Sequence, residues 1–207
     1  MPSIPQILQT LDQLYPWDGT CFLNYETPWQ LLFATILSAQ CTDDRVNHVT
    51  AELFKKYPNL ESYVEAKLPD LEKMVHSTGF YRAKARNLQD SARKLITHHD
   101  GHVPSDIQAL TTLSGVGRKT ANVVRSHIFN QPCIVVDTHV MRVSRRLGLT
   151  QLTCPTKIEH DLMEKLPESH WIRYNQQIIT HGRKVCTAKK PDCTNCALQQ
   201  ECKTEAI

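Results

Sequence analysis

The sequence predicts an all-α protein built from roughly ten or more short helices. Apolar residues recur every three or four positions in nearly every segment, the spacing that lines them along one helix face. Capping and stop signals punctuate the chain at short intervals. A single run, "CIVVD" (Cys133–Asp137), reads as strand, and it is short and lacks a second run to pair with.

The elements follow in order. Ile4, Ile7, Leu8, Leu11 and Leu14 form one stripe on a first helix. Thr27-Pro28 opens the second as a cap and first-turn pair. The apolar run that follows, Leu31–Ala39, reads as a buried helix, about half the ~18 residues that suggest a membrane span. Thr42 caps a third helix, with Asp43 and Asp44 in its first turn and Lys55 and Lys56 in its last, matching the helix dipole. Shorter patterns occupy residues 62–66 and 69–79, the second stopping at Gly79. Residues 81–99 form a long amphipathic helix that ends near Asp100-Gly101. A short pattern at 105–113 precedes one at 118–129, and three more begin at Asp137, Pro155 and Glu168.

The 207 residues suit one large domain or two small ones, and 41% hydrophobic with 22% charged residues is ordinary for a soluble globular chain. The N-terminal stretch has no basic region and no small-residue cleavage site, so a cytoplasmic protein with reduced thiols is expected. The net charge of +3 hints only weakly at an anionic partner. The local clusters "SARKL", "GVGRKTANVVR", "VMRVSRR" and "HGRKVCTAKK" each read as a solvated face, but together they point to a polyanion.

Four of the eight cysteines, Cys186, Cys193, Cys196 and Cys202, close the chain with the spacing C-x6-C-x2-C-x5-C. In a reducing compartment metal ligation accounts for them better than disulfides, and the spacing fits zinc as well as an iron–sulfur cluster. Cys21, Cys41, Cys133 and Cys154 show no ligand spacing and read as buried thiols or plain small residues.

Residues 113–121, "LSGVGRKTA", join two helical patterns. Gly115 and Gly117 permit a tight turn, and Val116 between them can pin it to a core. A plain helix–turn–helix would need no more. The next helix, however, opens with Arg118 and Lys119, where the macrodipole disfavours cations, and a glycine-rich turn at a helix start presents N–H groups to phosphate. Lys119 alone suits a phosphate contact or a nucleophile equally. An amine attacks carbon only when neutral, and a helix start in a partly buried setting favours that form. Asp137 precedes a helical pattern as an N-cap, and such a carboxylate can also steady a developing positive charge.

Together, "LSGVGRKTANVV", "VDTHVMRVSRRLG", "PWQLLFATILSAQCTD" and the terminal cysteines resemble the endonuclease III family of DNA glycosylases and abasic-site lyases, over nearly the whole chain. The resemblance implies a helix-hairpin-helix at about 106–129 that grips the DNA backbone through Gly115, Gly117 and Arg118 without reading sequence. It implies Lys119 as nucleophile, Asp137 as catalytic aspartate, and one 4Fe–4S cluster on Cys186, Cys193, Cys196 and Cys202. His139 reads as a phosphate contact, a support for a neighbouring group, or a structural residue. Lys189 and Lys190 meet DNA phosphates or stay solvated. The target nucleotide must leave the stack, and the resemblance makes Gln40 and Phe80 the candidates to fill the gap; the alternatives are that Gln40 caps its helix and that Phe80 is a core residue after the Gly79 turn. The family more often has leucine at the second position, and proline where this chain has Ser114.

Two helical subdomains are expected, 20–131 and 1–19 plus 132–207 (cluster loop 186–202), flanking a DNA-binding cleft across which Lys119 and Asp137 face each other. Adenine-excising relatives carry a glutamate in the early buried helix; Thr35 stands at or near that place here, and no acid lies between Pro28 and Thr42. The expected function is excision of oxidised pyrimidines from duplex DNA through a lysine Schiff base, then strand cleavage by β-elimination. The protein is expected to act as a monomer on duplex DNA carrying damaged pyrimidines or abasic sites. A different lesion or mismatch specificity, or a DNA-binding iron–sulfur protein without catalysis, are the alternatives.

Overall fold

The computed structural model describes residues 3–203. Among them it contains eleven α-helices, two 3-10 helices and no strand. The expected all-α class is borne out. The ends of the expected subdomains at residues 1–2 and 204–207 lie outside the described residues. Two compact units emerge, one spanning Cys21–Asn130, the other joining the residues up to Thr20 with those from Gln131 onward.

The Cys21–Asn130 unit is organised around α2 (Pro28–Leu37), in which eight residues from Gln30 to Leu37 are all buried. A helix that is apolar on every side belongs inside, and α3 (Asp43–Lys56), α6 (Tyr81–His99) and α8 (Arg118–Phe129) pack around it. Gln30 Oε1 accepts from the Thr27 N–H at 3.0 Å, closing the start of α2. Trp29, Phe33, Phe54 and Tyr63 meet edge to face with centroids 4.9 to 5.7 Å apart, in the favoured geometry for aromatic pairs. The 62–66 pattern is α4 (Leu60–Glu65), which starts earlier than expected because Asn59 Oδ1 accepts from Ser62 N. The 69–79 pattern is α5 (Leu68–Val75) followed by a 3-10 turn at His76–Thr78. α7 (Ile107–Thr111), capped by Asp106, leads into α8.

In the other unit, α1 (Ile4–Leu14), α9 (Thr138–Arg146), α10 (Pro155–Lys165) and α11 (Trp171–Lys184) enclose a core that includes Ile7, Leu11, Val140, Ile158, Leu162 and Ile178. Tyr174 is fully buried there and shares a 2.7 Å hydrogen bond with Ser144; burial pushes its phenol well up. The "CIVVD" run is irregular extended backbone. With no neighbouring strand its amides need other acceptors, and the Val135 N–H donates to Asn175 Oδ1 at 3.0 Å. The run carries the chain through the core to Asp137 at the start of α9.

Two imidazoles away from the cysteine loop, His127 and His170, contribute to the acid sensitivity of the fold. Burial holds His127 below the ordinary histidine range. Burial and the Arg173 charge hold His170 down, against the upward pull of Asp12. Both sites take up a proton more readily unfolded than folded, so stability is full above the unfolded value of about 6.5 and falls as pH drops below it through the depressed folded values. His127→Gln should therefore flatten the loss of urea midpoint between about pH 7.5 and about pH 5.5, with an unchanged denaturant slope.

Candidate functional site

The hairpin between α7 and α8 is held by one face of α6. Ser91 Oγ donates to Ser114 O at 2.9 Å, and Lys94 Nζ donates to Thr112 O at 2.6 Å. Val116 is 7% exposed and pins the turn to the core. Gly115 has φ +77°, and a Cβ there would stand 2.6 Å from Asn87 Nδ2, so both backbone angle and space call for glycine. Gly117 is the N-cap of α8; Arg118 and Lys119 occupy its first turn and both are exposed. The partial burial expected for Lys119 is not found. The buried face of α8 is formed by Ala121, Asn122, Val124 and Ser126, and residue 119 falls outside it. Among the described residues the Lys119 ammonium has no ion-pair or hydrogen-bond partner.

Asp137 caps α9. Its Oδ1 accepts from the His139 and Val140 amides, both at 2.8 Å, while Oδ2 lies 3.1 Å from His139 Nδ1. One carboxylate thus closes the helix with one oxygen and meets an imidazole with the other. That contact makes His139 a support for Asp137. Neither residue is fully buried, with side chains 15% and 24% exposed. The ring of His139 lies along α11 at Gly182, where a Cβ would stand 3.1 Å from His139 Cδ2 and 3.0 Å from Arg142 Nη2.

α9 continues from Asp137 to the cysteine loop. Arg142 Nη2 donates to Gly182 O at 2.9 Å and to Cys186 O at 3.0 Å. Arg146 donates to Thr187 O at 2.8 Å, Ala188 O at 3.1 Å and Cys186 Sγ at 3.3 Å. The "VMRVSRR" cluster is therefore not wholly a surface for a polyanion: two of its arginines hold the loop. The i, i+4 spacing of Arg142 and Arg146 was the available signal, though it does not say what they face.

Cys186, Cys193, Cys196 and Cys202 line one cavity of about 40 Å³ together with Val143, Leu147 and Val185. None forms a disulfide. Burial pushes the Cys196 thiol up, and the other three cysteines push it further in the same direction. Cys196 Sγ lies 3.7 Å from His181 Nε2, and Tyr15 OH lies 3.1 Å from Nδ1 of the same ring. Burial holds His181 down at about 4, so it is neutral near pH 7. Among the described residues no three His, Cys, Asp or Glu side chains are drawn together around one ion; the thiols stand around a space instead. Lys189 and Lys190 are exposed on the loop. The remaining cysteines divide: Cys133 is buried, Cys21 and Cys41 are half-buried. Cys154 is exposed, a plain small residue at the N-cap of α10.

Gln40 and Phe80 share an unusual backbone. The non-glycine residues with left-handed φ among those described are Gln40 (52°), Phe80 (49°), Asp100 and Asn130. Asp100 and Asn130 are small polar residues ending helices, familiar occupants of that region. A bulky phenylalanine there is an outlier. Phe80 is also 66% exposed, so it is not a core residue after the Gly79 turn. Gln40 is exposed as well.

A family model described as HhH-GPD superfamily base excision DNA repair protein matches residues 33–168. An endonuclease III from Synechocystis is 50% identical over 198 residues, covering 95% of this chain and 90% of that protein. The chain belongs to the endonuclease III family. The Bacillus subtilis endonuclease III is 42% identical, covering 98% of this chain and 93% of its own. A solved structure of a trapped endonuclease III–DNA covalent intermediate superposes with a TM-score of 0.92 at 42% identity, covering 98% and 97% of the two chains. A thermostable thymine-DNA glycosylase, 22% identical, shares the fold with a TM-score of 0.83 over 95% and 94%.

Within this endonuclease III family member, Thr35 spends its hydroxyl on its own helix, donating to Leu31 O at 2.8 Å. Ser114, in place of the more common proline, contributes the carbonyl that Ser91 binds. For Gly115→Ala we expect a loss of about 1–3 kcal/mol in urea unfolding from the left-handed backbone and the Asn87 contact. Adding Asn87→Ala should recover only the part due to the contact.

Proposed function

We propose that this chain is a bifunctional DNA glycosylase that removes oxidised pyrimidines from duplex DNA and then cleaves the strand at the abasic site. Lys119 carries the reading: an exposed primary amine, unpartnered among the described residues, in the first turn behind the Gly115–Gly117 turn, in a chain of the endonuclease III family. The trapped covalent endonuclease III–DNA intermediate supports a covalent route.

The neutral amine of Lys119 attacks the anomeric carbon of an extruded nucleotide. The bond to the base breaks and its electron pair leaves with the base, which takes up a proton. The attached amine gives up one proton, and the sugar ring then opens as O4′ takes one up, leaving a Schiff base that keeps its N–H and its positive charge. That cationic imine acidifies the neighbouring C2′ proton; removing it expels the 3′ oxygen and breaks the strand. Because Lys119 is exposed, the water around it is displaced only when DNA covers the helix start. Asp137, held by two amides and His139, supplies a fixed negative charge for an oxocarbenium-like sugar or an acceptor for the amine's proton. Gln40 and Phe80 fill the place of the extruded base, Gln40 by hydrogen bonding to the orphaned partner and Phe80 by stacking. Gly115, Gly117, Arg118, Lys189 and Lys190 contact the phosphate backbone.

Four thiols lining one cavity, with no three of them gathered about a single point among the described residues, suit a polynuclear iron–sulfur core better than a single tetrahedral zinc, whose sulfurs lie about 2.3 Å from one point. Cys186, Cys193, Cys196 and Cys202 would hold one 4Fe–4S cluster. When bound it joins the loop covalently and offsets the repulsion of four thiolates. Arg146 keeps the loop shaped through its three contacts.

Borohydride trapping on abasic duplex tests the nucleophile. Wild type should give a covalent adduct, and Lys119→Gln should reduce its rate by about a thousandfold or more. No adduct with wild type, or an undiminished one in the variant, overturns the assignment; DNA binding without an adduct would leave a non-catalytic iron–sulfur protein. Purified protein should absorb near ~400 nm and carry about four irons. Arg146→Met should bleach faster in chelator, whereas a colourless zinc protein contradicts the cluster.

A further inference from the structure

Lys84 lies in α6, four residues after Phe80, yet only 4% of it is exposed. Its Nζ donates to Leu37 O at 2.8 Å and to Thr78 O at 2.6 Å. A buried ammonium is costly unless its protons find acceptors, and here these acceptors are carbonyls. Burial pushes the amine below the ordinary lysine range, and the neighbouring Cys41 pushes it back.

The two carbonyls end two helices. Leu37 closes α2, and the amide four residues on, Cys41 N–H, bonds to Ser38 O at 3.1 Å instead. Thr78 closes the 3-10 turn after α5. A single ammonium thus satisfies carbonyls at two C-termini, the dipole ends that favour a cation. Each terminus runs directly into a left-handed residue, Gln40 three positions after Leu37 and Phe80 two after Thr78. Such backbones persist only where the surroundings over-determine them.

We propose that Lys84 is a positioning residue that clamps the Gln40 and Phe80 turns at a fixed separation, so that both side chains enter a duplex as one rigid wedge. This rests on the reading of Gln40 and Phe80 as gap-filling residues.

Lys84→Met removes the donors and keeps the stem. Borohydride trapping is run on one abasic oligonucleotide, single-stranded and in duplex. The single strand has no gap to fill, so the ratio of duplex to single-strand rates isolates insertion and cancels any change in folded fraction. For Lys84→Met, Gln40→Ala and Phe80→Ala the ratio should fall by about tenfold or more. In the Gln40→Ala/Phe80→Ala background, Lys84→Met should lower it by less than about twofold further, since residues acting as a unit are not additive. An unchanged ratio in Lys84→Met, or an equal fall in both backgrounds, overturns the inference. If the methionine variant does not fold, Lys84→Arg is read the same way, because a planar fork replaces a point donor poorly; a fall supports the clamp and an unchanged ratio removes it. A ratio that stays put in Gln40→Ala and Phe80→Ala sinks the gap-filling reading itself, and an absent wild-type adduct sinks the enzymatic one.

Discussion

A helix leaves four N–H groups at one end and four carbonyls at the other without intrahelical partners. A chain folded into eleven α-helices among its described residues has many such ends to satisfy, and this constraint locates almost everything of interest. Asp137 answers it at the start of α9, with one carboxylate oxygen on two amides. Lys84 answers it at the ends of α2 and the 3-10 turn, with one ammonium on two carbonyls. Arg142 answers it at the end of α11, reaching Gly182 O. Lys119 sits at another such end, in the first turn of α8, with its amine unpartnered among the described residues.

α9 shows how far one short element carries the consequence. It begins with the carboxylate that His139 supports and ends with the arginine that grips the cysteine loop. Close approach at Gly182 lets α9 and α11 lie side by side, so the ring of His139 and the guanidinium of Arg142 share the same groove. A single nine-residue helix thus joins the residues that hold the cysteine loop to Asp137. The core beneath, with Val140 and Val143 fully buried, resists bending between the two.

One buried and two half-buried cations also share a kind of partner. Lys84, Arg142 and Arg146 each donate to backbone carbonyls. Carbonyl dipoles satisfy the donors without cancelling the charge, so the positive field persists beyond the contact. In a chain with a net charge of +3, that choice of partner favours approach of a polyanion while keeping the structural ties that ion pairs would also provide.

The sequence by itself determined the helical class, the hairpin turn at Gly115–Gly117, the caps Thr42 and Asp137, and the four-cysteine spacing. Each of these signals is written within a few neighbouring residues, where backbone sterics, capping and the 3.6-residue period act. The lack of a second strand-like run was legible there too, and "CIVVD" is accordingly irregular extended backbone without a strand partner among the described residues. The sequence misjudged the exposure of Lys119. Only the tertiary structure decided that Lys84 would be buried between two carbonyls 6 and 47 residues away, and that Arg142 and Arg146 would turn onto the cysteine loop 40 or more residues on. Such contacts are set by which helix faces meet on packing, and the local pattern of a lysine or arginine on a helix is the same whether it meets water, phosphate or a carbonyl.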